Sequence, residues 1–227
     1  MATVIGIMGE SGSGKTTSLR NLDPSTTYII DCDGKGLSWR GWKKRYNHDS
    51  RNYYVTDDQQ VVLACLKHIN ANKPDVNVVV IDTINGIMIA DESRRRNEKG
   101  YDKWSDLAWA VWDILTYSLT MRDDLTVVLT AHSQTERDEN GYNFTRIKTS
   151  GRKLDKMQIE TKLRALLMTH CVDGEYVFST GVGDSTSTCK TPPGLYKEQN
   201  IPNDIVRVID DIREYDMDDE DGGDADD

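Results

Sequence analysis

The chain has 227 residues, enough for one well-cored domain with trimmings and too few for two full domains. Its net charge of −10 is concentrated at the end: Asp216 to Asp227 carry eight carboxylates and no base, so the other 215 residues sit near −2 and a nucleic-acid partner met through a local basic patch is not excluded. No run reaches the ~18 apolar residues of a membrane span, and Cys32, Cys65, Cys171 and Cys189 are scattered without a CxxC pair, which speaks against zinc or a disulfide framework and for a reducing, cytoplasmic setting.

Strand and helix signals alternate along the chain, which predicts an α/β fold: a mostly parallel central sheet with helices on both faces. Thr3 to Met8 reads as the first strand, followed by "GESGSGKTT" and a helix to about Asn21. "TTYIID" is a second strand. In "GLSWRGWKKRY", Trp39, Trp42 and Tyr46 fall at i, i+3 and i+7, the spacing of a helix, and this favours core burial over a basic aromatic patch. "NYYVT" is a short strand, after which Asp57 or Asp58 caps a helix through "VVLACLKHI". "VNVVVIDTIN" is a buried strand ending in Asp82.

Further on, Trp104, Leu107, Ala108, Val111, Leu115 and Leu119 form the apolar stripe of a helix. "LTVVLTAHS" is a fifth strand. "QTERDENGYNFTRI" alternates about Asn140-Gly141, the signal of a two-residue type I′ hairpin. "LRALLMTHCV" and "GEYVFSTG" give two more strands, a C-terminal antiparallel extension, and Asp204 to Tyr215 a closing helix. The expected division is therefore a core over 1–215 and a disordered acidic tail over 216–227, serving as a solubilising end or a partner-binding segment.

"GESGSGKT" matches G-x-x-x-x-G-K-[ST] in the context that gives the pattern meaning, between a strand and a helix. Gly12 and Gly14 let the backbone curl so that its N–H groups face phosphate, and the helix start adds partial positive charge. The expected ATP cradle is Gly9, Glu10, Ser11, Gly12, Ser13, Gly14, Lys15, Thr16 and Thr17. Within it, Lys15 reaches the β- and γ-phosphates and Thr16 ligates Mg²⁺. Asp82, on a strand adjacent to the P-loop strand or one removed, is the second magnesium ligand.

Thr83 follows Asp82 where many ATPases place a catalytic glutamate. The carboxylate for water is expected instead on the second strand, in "YIIDCDG", because ligands sit at the carboxyl ends of parallel strands. Asp33 is the candidate, with Asp31 turned inward or bracing it. His132, ending the fifth strand, is placed to hydrogen-bond the γ-phosphate and report its loss.

Taken together, "GESGSGKT", "IIDCDG", "VVVIDT" and "VVLTAHS" resemble the RecA-like P-loop ATPases. More specifically, with "KTPPGLYKEQNIPNDI", the chain is similar to the short, core-only RecA-like ATP-binding proteins of bacteriophages, of the single-strand annealing and recombination kind. The resemblance covers about residues 3 to 215. It implies ATP and Mg²⁺ as cofactors, a host-cytoplasmic setting if the chain is phage-encoded, and homo-oligomers with ATP at subunit interfaces. Asp33 stands where the family has the longer glutamate. No residues precede the first strand, so the N-terminal polymerisation segment of full-length recombinases is expected to be absent.

In that family two central loops contact single-stranded DNA. The first would correspond to Arg94, Arg95, Arg96, Lys99 and Lys103, with Tyr101 or Trp104 stacking on a base. The second would include Arg137 and Arg146. Lys148, Arg152 and Lys153 are candidates to reach a neighbouring subunit's γ-phosphate. Two other classes stay open: a nucleotide-kinase-like phosphotransferase, and a non-hydrolysing ATP-dependent adaptor recruiting partners through its tail.

Overall fold

Val- and Ile-rich runs with period-2 alternation build the sheet in this computed structural model, which describes residues 1–98, 102–137, 141–149 and 158–218, the side chains of 102–105 and of Leu107 excepted. The strands are β1 (Thr3–Gly9), β2 (Thr27–Asp31), β3 (Tyr53–Val55), β4 (Val78–Asp82), β5 (Thr126–Arg137), β6 (Asn143–Ile147), β7 (Ala165–Val172), β8 (Glu175–Ser179) and β9 (Asn200–Pro202). Their order is β3-β2-β4-β5-β1-β7-β8-β9, with β6 paired to β5 outside this path. The pairings from β3 across to β7 are parallel. β8 and β9 continue antiparallel, the expected C-terminal extension.

Alternation sorts the side chains onto two faces. Val4, Met8, Ile30, Val79, Ile81, Val127 and Leu129 pack on one face with apolar residues of α1 (Gln59–Asn72), α2 (Ile84–Arg94) and α3 (Asp102–Thr120). Ile5, Ile7, Ile29, Val78, Val80 and Val128 meet α4 (Ile205–Met217) on the other. Asp58 caps α1, accepting from the amides of Gln60 and Val61. In α3, Ala108, Val111 and Leu115 of the predicted stripe are buried, joined by Ile114. No helix among the described residues is long and apolar enough to cross a membrane.

Four sequence expectations are corrected. The helix after the P-loop shrinks to a single 3-10 turn, Thr16–Leu19. Thr16, Thr17 and Ser18 are poor helix formers, and the Ser18 hydroxyl donates back to the Lys15 carbonyl at 2.6 Å. The tryptophan segment is broken as well: Gly41 takes φ 80, outside reach of a regular helix, and only Trp42–Lys44 form a 3-10 turn. Its aromatic residues still pack, with Tyr46 fully buried and Trp39 edge-on to it at 6.0 Å.

β5 does not end at His132 but runs five residues on to Arg137, because its second half leaves the parallel sheet and pairs antiparallel with β6. In that hairpin Arg137 faces Asn143, and the predicted turn on Asn140-Gly141 belongs to the connection between them. Asn140 itself lies outside the described residues. At the other end, Asp216 and Met217, expected in the tail, complete α4, and the Arg164 guanidinium pairs with Asp216. Residues 219–227 lie outside the described residues.

Candidate nucleotide site

The strand order places β5 between β1 and β4, so Asp82 is one strand removed from the P-loop strand. The carboxyl ends of four strands converge, with Asp31 in register with Asp82 and Gly9 in register with His132. Asp82 is buried at the centre of this edge. The Thr16 hydroxyl donates to its Oδ2 at 2.9 Å and the Thr130 hydroxyl to its Oδ1. Burial pushes its carboxyl above the usual range, against the Thr130 bond, the Lys35 charge and the Thr16 bond. A desolvated anion of this kind is short of positive charge.

The all-oxygen donor pair of Thr16 and Asp82 fits Mg²⁺, which is bound by one or two carboxylates together with substrate phosphates and waters. Lys15 is buried, and its ammonium donates to the carbonyls of Gly9 and Glu10, both at 2.8 Å, folding the lysine onto its own loop. Burial lowers its pKa, and Asp82 offsets part of that. Glu10, a predicted loop member, accepts from the Ser133 hydroxyl at 3.5 Å, and Ser13 is hydrogen-bonded to Thr169 on β7 at 2.5 Å. Ser11 and Gly12 form the exposed crest of the loop.

Asp31 and Asp33 diverge. Asp31 is buried and accepts four hydrogen bonds: the amides of Asp33 (3.1 Å), Gly34 (2.9 Å) and Gly36 (2.8 Å), and the Tyr53 hydroxyl (2.6 Å). Burial, and then that bond, push the Tyr53 phenol up, so it remains a donor. Asp31 therefore folds the turn over 33–36. Asp33 leaves this turn toward β4, where its Oδ1 accepts from the Thr83 hydroxyl at 2.9 Å and its Oδ2 pairs with the Lys35 ammonium at 2.5 Å. The peptide bond between Asp82 and Thr83 is cis. Thr83 also caps α2, accepting from the Gly86 amide at 3.2 Å.

Three residues of the site escaped the sequence reading. Lys35 is the first; its charge acts on Lys15, His132 and Asp82 alike, and although burial opposes it, Asp33 and the other carboxylates raise its pKa. Its signal was its place two residues after Asp33. Asn85 is the second: its amide accepts from the His132 N–H at 2.7 Å and donates to the Lys148 carbonyl at 2.8 Å. Tyr176 is the third. Its ring lies so close to Gly14 that a Cβ there would sit 2.8 Å from it, and it lines a cavity of about 650 Å³ with Thr17, Arg20 and Pro202. This cavity adjoins the loop's end through Thr17.

His132 is half-buried, and burial together with the Lys15 charge depresses its pKa below the ordinary 6.5. Its carbonyl accepts from the Lys148 amide at 2.7 Å, so it sits where the parallel sheet passes into the hairpin.

Of the predicted cationic residues, Arg94 pairs with Asp57, and Arg95 pairs with Glu98 at 2.7 Å and Asp106 at 2.9 Å. Arg146 pairs with Glu136 at 3.1 Å. Arg96, Arg137 and Lys148 are exposed. Lys99, Tyr101, Arg152 and Lys153, and the side chains of Lys103 and Trp104, lie outside the described residues.

Residues 1–186 match the family model described as an AAA domain. No curated protein matches the chain. The matched span contains the P-loop, the Asp31 turn, Asp82, His132 and Tyr176, and leaves out β9 and α4. A P-loop on the central strand, a buried carboxylate one strand away and a family match over most of its length agree: the chain belongs to the AAA domain family of P-loop ATPases.

Proposed function

We propose that this protein hydrolyses ATP with Mg²⁺ and uses the cycle to act on single-stranded DNA, in recombination or annealing of the phage type. One observation carries the hydrolytic part. Asp82 is committed to Thr16 and Thr130, whereas Asp33, one strand over, is held on Thr83 and faces the same edge. The metal-holding and water-orienting jobs thus fall to two strands.

Bound magnesium would neutralise charge on the β- and γ-phosphate oxygens. The chain's own residues do the rest. Lys15 turns from the loop carbonyls to the phosphates, Tyr176 stacks on the base, and Asp33 accepts the proton of the attacking water. His132 reads the γ-phosphate, and through Asn85 and the Lys148 amide it is tied to the hairpin, where exposed Arg137 would meet DNA. Lys148, Arg152 and Lys153 are retained as candidates for a neighbour's phosphate within a homo-oligomer.

A second reading, a non-hydrolysing ATP-bound adaptor, is favoured by the Lys35 pair, which occupies one oxygen of Asp33. ATP turnover with and without Mg²⁺ and single-stranded DNA separates the readings. Magnesium-dependent turnover raised by DNA and lost in Asp33→Asn supports the proposal. Tight ATP binding without turnover supports the adaptor, and phosphate transfer to a nucleoside monophosphate without a DNA effect overturns both.

A further inference from the structure

At the free edge of the sheet, beside β3, lies a groove of about 410 Å³ lined by Trp42, Tyr46, His48, Tyr53, Tyr54 and Val55. Tyr54 is 41% exposed and Val55 53%. The Trp42 and Tyr53 rings lie 5.1 Å apart, tilted by 50°. Charge coincides with these rings. Residues 35–51 contain six cations, Lys35, Arg40, Lys43, Lys44, Arg45 and Arg51, against the single carboxylate of Asp49, in a chain whose net charge is −10. Arg40, Lys43, Lys44 and Arg51 are exposed, and the Lys43 ammonium sits 5.7 Å from the Trp42 ring centroid.

Aromatic faces offer a sequence-tolerant platform for bases, and a rim of ammonium and guanidinium groups neutralises a phosphate backbone. An apolar protein segment would gain nothing from that rim. We propose that this groove binds a stretch of single-stranded nucleic acid that crosses the sheet edge, with one base on Trp42 on one face, another on Tyr54 on the opposite face, and phosphates on Lys43 and Lys44. The assignment rests on single-stranded DNA as the partner. It moves the principal contact from the loops after α2 and β5 to the edge of the sheet.

The groove is joined to the nucleotide site by its own walls. Tyr53 donates to Asp31, which folds the turn carrying Asp33 and Lys35. Trp42 underlies the same turn: a Cβ on Gly36 would lie 2.6 Å from its Cζ2. A base seated on these rings bears directly on the position of Asp33.

The test is fluorescence anisotropy of a labelled oligo(dT) with the full chain, with and without a non-hydrolysable ATP analogue and Mg²⁺. It compares wild type, Tyr54→Ala, Lys43→Glu/Lys44→Glu and the loop control Arg96→Glu/Arg137→Glu. Circular dichroism and melting confirm that each variant is folded. The lysine pair is expected to lower the slope of log affinity against log salt by about 1.4, two single-strand phosphate contacts. Tyr54→Ala is expected to weaken binding by at least about fivefold with little change in slope. Wild-type binding that only the loop control weakens overturns the groove and keeps DNA as partner. No binding by wild type in either nucleotide state overturns both. A dimer that Tyr54→Ala dissolves, with DNA affinity unchanged, assigns the edge to a second copy and overturns the proposal.

Discussion

The Thr83 hydroxyl donates to Asp33 Oδ1 across the carboxyl ends of two neighbouring strands. The residue immediately after Asp82 thus holds the candidate base, which stands just beyond the end of the next strand. Thr83→Val removes the donor and keeps the shape. Turnover should fall about tenfold with ATP affinity unchanged, the loss of one orienting hydrogen bond worth ~1.5 kcal/mol. Thr83→Ser should restore most of it. Because Thr83 also caps α2, the valine variant should lose about 1 kcal/mol in urea unfolding, and the serine variant much less. An unaltered turnover rate in Thr83→Val would detach Asp33 from the chemistry.

Tyr176 reaches the P-loop from β8, far along the chain. Tyr176→Ala should raise the Kd for ATP about tenfold, within the ~1–3 kcal/mol range of base stacking. Inorganic triphosphate, which has no base, should bind wild type and variant equally. A parallel loss for triphosphate would mean that the ring supports only the loop.

His132 gives a signed pH dependence. Burial, and then Lys15, hold its folded pKa below the unfolded 6.5, so between those values the unfolded chain binds more protons. Its contribution to stability is complete above 6.5 and is lost as pH falls through the folded pKa. Melting curves from about pH 7.5 to 5 should show wild type losing Tm faster than His132→Gln below the upper limit of that window. Parallel curves would exclude the depressed pKa.

Gly86 faces the Cys32 carbonyl so closely that an added Cβ would lie 2.3 Å from its oxygen and 2.8 Å from Asp33 Oδ1. Backbone cannot yield as a flexible side chain does. Gly86→Ala should therefore lower stability by about 1–3 kcal/mol, read as a lower urea midpoint at constant m. A stabilised variant would show that the close approach is relieved elsewhere.

Local chemistry was legible wherever it was local. Strand alternation, the P-loop pattern and the Asp58 cap depend on neighbours in sequence, and the parallel sheet and its antiparallel extension followed from them. What failed was continuity. The i, i+3, i+7 spacing of Trp39, Trp42 and Tyr46 described burial correctly, yet Gly41 interrupts the helix it suggested. The polar run after His132 hid a strand that pairs outside the main sheet, where alternation no longer marks a core. Lys35, Asn85 and Tyr176 carry no motif; they matter because of what folding brings beside them. Likewise Arg94 and Arg95 read as a basic cluster until Asp57, Glu98 and Asp106 were placed against them.

β1 lies inside the sheet, hydrogen-bonded to β5 on one side and β7 on the other, while β3 forms the edge. The nucleotide site therefore draws on two mechanical regimes. The phosphate cradle and Asp82 rise from strands paired on both sides, whose amides should be among the last to exchange with solvent. Asp33 sits on a turn fastened to β3, which among the described residues has a neighbour on one side only. On the proposed assignment, affinity for ATP would be vested in the stiff half of the molecule and the timing of hydrolysis in its pliable margin, so that a partner at the margin would set the pace without loosening the grip.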